Sequence, residues 1–403
     1  MGSKLVVLAL VTLLGAYYVY TPLPDAMGER WKVMVVDACF RSLEHLAELT
    51  ELIGLKHYME MMMVITAAEM VAPASDENVT VTDTAFGNVP VRVYEPTSRT
   101  QELRRAIIYM HGGGWCLGSA KMHPYDVMSR RSTAELNAVI VSVEYRLAPQ
   151  HHFPDQFDDV YSVAKFFLRP EVLAQYSVNP DRIAISGDSA GGNLAAAVVQ
   201  QMQEDPEVQV DIKIQALIYP ALQTIDFNTP SYQQNEHMPI LPRSLMVRFW
   251  SEYFSRDKHL LETMMSNNHT TLESRRLTDF VNWSVLLPEK FKKDYKYALP
   301  GNANPELSTN VPGIFDPRAA PLLVADDKLR SLPQAYIVTC EYDVLRDDGA
   351  MYAARLRRVG VQVTHKHYEE SFHGALMFVT WPTDFAIGQK MMVNYIDWLR
   401  NNL

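Results

Sequence analysis

Apolar and polar positions follow different periods in different parts of this chain. Residues 79–84 and 89–94 alternate between apolar and polar side chains, which predicts two half-exposed strands. Residues 106–110 and 138–143 are continuous apolar runs, which are typical of buried central strands. The same criteria predict further strands at 183–186, 214–219, 334–339 and 361–368.

Stretches with helical spacing separate most of these strands. They lie at 122–136, 157–169, 194–199, 347–358 and 384–401. Strands at the start, followed by strands that alternate with helices, predict a mostly parallel sheet with helices on both faces. The predicted fold class is therefore α/β.

Two regions depart from that alternation. Residues 30–70 predict two helices broken near Gly54, and residues 222–316 carry many aromatic residues and no clear strand. We expect these regions to form a mainly helical cap over the sheet, although peripheral decoration is the alternative. The predicted division is an N-terminal helix at 1–21, a cap segment at 22–75, a core at 76–221 and 317–403, and a cap insertion at 222–316.

The N-terminal segment contains an uncharged and largely apolar run, Leu5–Thr21. A cleaved signal peptide and an uncleaved signal anchor are both possible for a run of this length. Tyr17, Tyr18 and Tyr20 suit the interface of a membrane better than a cleavage site. We therefore expect a membrane-spanning signal anchor.

Composition narrows the function only by exclusion. The 403 residues carry a formal net charge of −10, which argues against a nucleic-acid partner. Three cysteines are too few for a disulfide scaffold. Three tripeptides match the glycosylation sequon and favour a chain whose bulk lies in the secretory lumen; they begin at Asn78, Asn268 and Asn282.

A candidate nucleophile lies between the strand at 183–186 and the helix that follows. Residues 187–191 read Gly-Asp-Ser-Ala-Gly, which matches the nucleophile elbow of α/β-hydrolases. Glycines are needed there because the chain passes close to itself on both sides of Ser189. A glycine turn without catalytic function is the alternative, so Ser189 requires an oxyanion site, a base and an acid elsewhere.

A glycine-rich loop directly follows the buried strand at 106–110. His111-Gly-Gly-Gly114 has the pattern of a loop that offers backbone N–H groups to an oxyanion. Three glycines after a strand can also form a simple flexible loop. The two motifs in this order, about 75 residues apart, are more specific than either alone.

The acid and the base are expected after the serine, in that order. Asp343 follows the strand at 334–339, and His373 follows the strand at 361–368. Carboxyl ends of parallel strands are where catalytic groups gather in such sheets. The sequence therefore predicts Asp343 as the acid and His373 as the base, in preference to Glu341, Asp347, Asp348, His365 and His367.

Together these motifs resemble the hormone-sensitive-lipase-like esterases of the α/β-hydrolase fold. The resemblance rests on the two motifs above, on Tyr145-Arg-Leu-Ala-Pro149 and on Asp343-x-Leu-Arg-Asp347, and it extends over nearly the whole chain. The N-terminal run and Arg248-Phe-Trp-Ser-Glu-Tyr-Phe254 resemble the branch of that family that hydrolyses arylacetamides. The resemblance implies a mostly parallel sheet, helices on both faces and a helical cap.

The resemblance also implies roles for particular residues. The oxyanion hole is expected in the loop from His111 to Gly113, through the N–H groups of Gly112 and Gly113, together with Ala190. Neither a metal ion nor a cofactor is expected. The resemblance favours a disulfide between Cys116 and Cys340 with Cys39 free, and two buried thiols are the alternative.

The expected activity is hydrolysis of small-molecule carboxylic esters and arylacetamides with small acyl groups. The resemblance places the enzyme in the endoplasmic reticulum membrane as a single-pass type II protein with a lumenal catalytic domain, and gives it a part in drug and lipid metabolism. A lipase or cholesteryl-ester hydrolase is the second possibility. A ligand receptor on the same fold is the third, and the presence of serine, acid and histidine candidates counts against it.

Overall fold

An eight-stranded sheet lies at the centre of the fold. The computed structural model describes residues 2–98, 102–272, 274–301 and 311–403. Every strand predicted from the sequence forms. The strands are β1 (Val79–Phe86), β2 (Val89–Pro96), β3 (Arg104–Met110), β4 (Ala138–Val143), β5 (Val178–Asp188), β6 (Ile214–Ile218), β7 (Gln334–Tyr342) and β8 (Val363–Phe372).

The strand order in the sheet is β1-β2-β4-β3-β5-β6-β7-β8. The first two strands pair in antiparallel fashion, and β2 pairs antiparallel with β4. All the other neighbours are parallel. Parallel pairing brings the carboxyl ends of β3, β5, β7 and β8 to one edge of the sheet.

Helices cover both faces of the sheet, as the alternating pattern predicts. The α-helices of eight residues or more in the described ranges are α1 (Gly2–Val19), α2 (Arg30–Leu52), α3 (Tyr58–Ala68), α4 (His123–Leu136), α5 (Asp155–Phe167), α7 (Ala190–Glu204), α9 (Arg243–Phe254), α10 (Lys258–Met265), α14 (Arg346–Arg358) and α15 (Ala386–Asn402). Shorter helices are α6 (Pro170–Gln175), α8 (Pro230–Gln234), α11 (Trp283–Leu286), α12 (Glu289–Lys292) and α13 (Asp326–Leu329). Neither α6 nor α13 was predicted from the sequence.

The strands bury side chains on both faces because successive residues of a strand point in opposite directions. Ile108 packs into one apolar cluster with α5 and α7, whereas its neighbour Ile107 packs into a second cluster with α4 and α15. The continuous apolar runs of the central strands are a consequence of this double burial.

The predicted disulfide between Cys116 and Cys340 is absent. All three cysteines carry free thiols, and Cys116 and Cys340 are buried. Cys116 packs in the cluster on the α7 side of the sheet, and Cys340 packs in the cluster on the α4 side. The two side chains therefore pack against opposite faces of the sheet.

The N-terminal helices contact the insertion at 222–316. The guanidinium of Arg248 in α9 donates to both carboxylate oxygens of Glu51 in α2, at 2.7 and 2.8 Å. It also lies 3.7 Å from the ring centroid of Tyr58 in α3. His57 Nε2 lies 3.4 Å from the carboxylate of Glu252 in α9. These contacts join two segments that are far apart in the sequence.

The N-terminal run forms α1, an 18-residue helix that includes Lys4 in its first turn. Within the part of the chain that the structure describes, no helix has both the length and the apolar character required to cross a bilayer. The signal anchor predicted for residues 1–21 is not shown by the structure.

We expect Arg248→Ala to loosen α2 and α3 from α9. The change removes two hydrogen bonds to a partly buried carboxylate, so the free energy of unfolding should fall by about 2 kcal/mol. Amide hydrogen exchange should increase in residues 44–68. Lys290→Ala is the control, since its pair with Glu369 is exposed and should contribute less than ~1 kcal/mol. Equal exchange in the two variants would contradict this role of Arg248.

Candidate active site

Ser189 occupies a strained turn between β5 and α7. Its φ of 55° and ψ of −119° lie outside the regions that most residues adopt. Its N–H donates to the carbonyl oxygen of Ile218 at 2.8 Å. A Cβ on Gly191 would lie 2.1 Å from the carbonyl oxygen of Met110, so only glycine fits there. The turn holds the serine at the N-terminus of α7, where backbone N–H groups favour negative charge.

The structure brings together the three residues that the sequence proposed as nucleophile, base and acid. His373 Nε2 lies 2.9 Å from Ser189 Oγ, and His373 Nδ1 lies 2.8 Å from Asp343 Oδ2. All three residues are buried. The carboxylate can only accept, so Nδ1 carries the proton and Nε2 is left to accept from the serine hydroxyl.

The backbone and a side chain of the insertion hold the acid in place. The N–H of Leu345 donates to Asp343 Oδ1 at 2.8 Å, which leaves Oδ2 for the histidine. Asn235 Nδ2 donates to the carbonyl oxygens of Glu341 and Asp343, each at 3.0 Å. Asn235 was not predicted from the sequence, because no motif surrounds it and its contact lies more than 100 residues away along the chain.

The rival acids and bases have other partners. Asp347 accepts from the N–H of Ser231 at 2.7 Å, and Asp348 accepts from the N–H of Leu222 at 2.9 Å. The remaining rivals form one hydrogen-bonded group on β7 and β8: His365 and His367 both contact Thr339 Oγ1, and His367 also contacts Glu341. Burial lowers the pKa of His365 to about 4, so this imidazole is neutral.

The glycine loop after β3 lies beside the elbow, but its first glycine differs from expectation. The N–H of Gly112 donates to Asp188 Oδ1 at 3.0 Å and to the hydroxyl of Tyr125 at 2.8 Å. It is therefore occupied and is not a free donor for an oxyanion. Within the described ranges, no acceptor takes the N–H of Gly113, Gly114 or Ala190.

Gly114 belongs to the glycine motif but was not among the residues expected in the oxyanion hole. Gly113 and Gly114 have φ values of 114° and 61°, in the region that favours glycine. A Cβ on Gly114 would lie 2.2 Å from the ring of Phe249 in α9. The insertion therefore packs directly on the loop, and the run of glycines signalled this close approach.

The imidazole of His111 has a structural environment. Its ring stacks on Tyr145 with centroids 4.3 Å apart, and its Nδ1 lies 2.8 Å from the carbonyl oxygen of Gly112. Burial lowers its pKa, which keeps the ring neutral. These contacts stiffen the start of the glycine loop.

A cavity of about 610 Å³ adjoins the glycine loop. Its lining is mostly apolar and combines the N-terminal helices, the loop after β3 and a C-terminal loop; examples are Phe40, Ile65, Leu117, Met122, Phe378 and Trp381. Gly112 and Gly113 form part of its wall. The cavity can hold the apolar part of a small molecule whose polar group lies at the loop.

Among the residues that the structure describes, no group of three or more His, Cys, Asp or Glu side chains is arranged to hold a metal ion. Asn78 and Asn268 are exposed, and Asn282 is half-buried. The glycosylation sites stay a prediction.

We expect Asp348→Asn to change the pH dependence of stability. Burial raises the pKa of Asp348 to about 8, despite hydrogen bonds from Leu222 and Gln223. The folded chain then holds a proton that the unfolded chain loses near pH 4, so this group lowers stability as pH rises from about 4 to 8. The unfolding free energy of Asp348→Asn should therefore rise relative to that of the wild type as pH increases from 5 to 8. Urea unfolding at each pH measures the difference.

Asp326→Asn is the matched control. Burial of Asp326 raises its pKa, but hydrogen bonds from Arg355 and Arg358 outweigh that effect and the net pKa is lowered. The stability that ionised Asp326 contributes is lost only as pH falls below the normal titration range of an aspartate. The difference in unfolding free energy between Asp326→Asn and the wild type should therefore be constant across pH 5–8. A constant difference for Asp348→Asn as well would disprove the assignment of a neutral Asp348.

Comparisons with known proteins agree with this architecture. A family model described as the alpha/beta hydrolase fold matches residues 107–290 and 300–377. Arylacetamide deacetylase of Oryctolagus cuniculus is 52% identical over 402 residues, which is 100% of both chains. Neutral cholesterol ester hydrolase 1 of Mus musculus is 48% identical over 408 residues, again 100% of both chains.

A solved structure extends the comparison to three dimensions. The esterase of Pyrobaculum calidifontis superposes with a TM-score of 0.62 at 26% identity, covering 93% of this chain and 98% of that chain. The sheet order, the elbow and the full-length relatives lead to one conclusion: the chain belongs to the α/β-hydrolase family, among the hormone-sensitive-lipase-like esterases that include the arylacetamide deacetylases.

Proposed function

We propose that this chain hydrolyses carboxylic esters and arylacetamides with small acyl groups. Ser189 is the nucleophile, His373 the general base and Asp343 the orienting acid. The observation that carries the proposal is the unbroken chain of short hydrogen bonds from Ser189 Oγ through His373 to Asp343 Oδ2. Such a chain activates a hydroxyl that is otherwise a weak nucleophile.

The first half of the reaction forms an acyl-enzyme. His373 Nε2 takes the proton from Ser189 Oγ as the oxygen attacks the acyl carbon, and a tetrahedral intermediate forms. Asp343 stabilises the resulting imidazolium and keeps its ring oriented. The imidazolium then gives its proton to the departing oxygen or nitrogen, and the bond from the acyl carbon to the alcohol or amine breaks.

The second half releases the acid. Water enters, His373 takes one of its protons, and the hydroxide attacks the acyl-enzyme. The second tetrahedral intermediate collapses as the proton returns to Ser189 Oγ. An amine is a poorer leaving group than an alkoxide, so the position of His373 matters more for amides than for esters.

The oxyanion of both intermediates is stabilised by backbone donors. The N–H groups of Gly113 and Ala190 are proposed for this role, as expected from the sequence, and the unoccupied N–H of Gly114 joins them. Gly112 contributes only indirectly, since its own N–H is occupied by Asp188 and Tyr125. Removal of one donor from an oxyanion hole typically costs about 10²- to 10³-fold in kcat.

Two substrate classes compete for the apolar cavity. The rabbit relative is named for arylacetamides and the mouse relative for cholesterol esters, at 52% and 48% identity. The mostly apolar cavity of about 610 Å³ suits either an aromatic group or part of a lipid. We propose small-acyl esters and arylacetamides as the main substrates, and cholesteryl or other lipid esters as the second possibility. The enzyme would then take part in drug and lipid metabolism.

The test is a graded acyl series with one alcohol, from acetyl to oleoyl, together with an aryl acetamide. Ser189→Ala should lose roughly 10³-fold or more of the activity, and Asp343→Asn about 10⁴-fold because the imidazole adopts the wrong tautomer. Asp348→Asn should keep its activity, since that carboxylate does not contact His373.

The outcomes separate the candidate functions. Preference for acetyl and cleavage of the acetamide support the proposal, and preference for oleoyl supports the lipid esterase. Binding without hydrolysis by the wild type indicates a receptor. Hydrolysis that survives Ser189→Ala excludes the proposed mechanism.

We further propose that the catalytic domain resides in the lumen of the endoplasmic reticulum. Exposed sequons at Asn78 and Asn268 support this location, and Asn282 is the third candidate. Endoglycosidase H should increase the mobility of the protein made in animal cells, and Asn78→Gln and Asn268→Gln should each remove one glycan. Asn401→Gln, at an exposed asparagine without a sequon, is the control. Mobility unaffected by the glycosidase would exclude a glycosylated lumenal domain.

A further inference from the structure

Asp188 is a buried carboxylate that the proposed mechanism does not use. It directly precedes Ser189 and is only 2% exposed. Its Oδ1 accepts from the hydroxyl of Tyr109 at 2.9 Å and from the N–H of Gly112 at 3.0 Å. Its Oδ2 accepts from the hydroxyl of Tyr125 at 3.2 Å. All three donors lie on β3, on the loop after β3 or on α4.

One side chain therefore links the elbow to the glycine loop. Gly112 makes both of its N–H contacts to this group, since Tyr125 accepts from Gly112 and donates to Asp188. A Cβ on Gly112 would lie 2.5 Å from Asp188 Oδ2, so the glycine at this position serves the contact with the carboxylate. Glycine residues rotate freely, so this link adds to the support from His111, whose Nδ1 lies 2.8 Å from the carbonyl oxygen of Gly112.

The charge of Asp188 strengthens the link. Burial raises its pKa to about 6, and the hydrogen bonds from Tyr109 and Tyr125 oppose that rise. The group is therefore mostly ionised at neutral pH. A hydrogen bond to an ionised acceptor is roughly twice as strong as a neutral one. The peptide of Gly112 is thus held by a strong acceptor in a dry site.

We propose that Asp188 is a positioning residue that orients the glycine loop, through Gly112, so that the N–H groups of Gly113 and Gly114 face the acyl oxygen. This inference rests on the proposed hydrolase function. Asp188 itself touches neither substrate nor reacting atoms. Its effect is on the transition state, because donors held within about 0.5 Å of their productive positions stabilise the oxyanion without reorganisation.

The experiment compares Asp188→Ala, Asp188→Asn and Tyr125→Phe with the wild type. It measures kcat and KM for an aryl acetate and the dissociation constant of a short alkylboronic acid, whose adduct with a serine mimics the tetrahedral anion. Asp188→Ala should lower kcat about 10²-fold or more and raise the dissociation constant of the boronic acid by a similar factor. KM should change less than about threefold, because binding of the ground-state substrate depends little on the donors of the oxyanion hole.

The conservative variants distinguish positioning from simple structural support. Asp188→Asn keeps one oxygen for Tyr109 and Gly112, so it should recover about tenfold of the lost kcat. Tyr125→Phe removes one of the two acceptors of Gly112 and should lower kcat about tenfold. Thermal melting shows whether each variant folds; if Asp188→Ala does not, the other two variants decide.

Asp226→Asn is the matched control. Asp226 is also a buried aspartate with three donors, namely the N–H of Asn228, the amide of Asn267 and the indole of Trp283. It contacts no part of the elbow, so kcat and the boronic acid affinity should stay within about threefold of the wild type.

Other results would overturn the inference. An increase in KM with unchanged kcat, unchanged boronic acid affinity in folded variants, or an asparagine variant no better than alanine would each exclude a positioning role. Loss of the wild-type hydrolysis in Ser189→Ala supports the proposed function independently of the Asp188 variants. If the wild type has no hydrolysis that depends on Ser189, the proposed function fails and this inference fails with it.

Discussion

The structure depends on the parallel pairing of β3 with β5. This pairing places the loop after β3 against the turn after β5, so closely that the carbonyl oxygens of Met110 and His111 leave no room for a Cβ on Gly191. The strained backbone of Ser189 persists because this contact and the hydrogen bond to Ile218 hold it on both sides. Ser189 and the glycine loop are thus built as one unit.

The same edge of the sheet receives the acid and the base. Asp343 follows β7 and His373 follows β8, and the two strands are parallel neighbours. Short connections from adjacent strand ends bring the side chains within 2.8 Å of each other without a long flexible loop. Only β6 lies between the strand that precedes Ser189 and the strand that precedes Asp343, so the three side chains span a narrow part of the sheet.

Several buried carboxylates surround this edge, and their donors decide what each can do. Asp343 faces an imidazole, Asp188 faces two tyrosine hydroxyls and a backbone N–H, and Asp348 faces a backbone N–H and an amide. Burial makes each negative charge costly unless donors compensate. Residues of the insertion also reach the edge, through Asn235 below the acid and Phe249 over Gly114.

The sequence by itself determined the strand and helix pattern and the fold class, and it proposed Ser189, Asp343 and His373, which the fold brings together. These follow from local information, namely the period of apolar residues and the glycines that a tight turn requires. Tertiary structure decided which groups meet across the sheet. It separated Cys116 from Cys340, occupied the N–H of Gly112, and recruited Asn235. Such contacts depend on strand order and on the face to which each side chain points, and no local pattern records either.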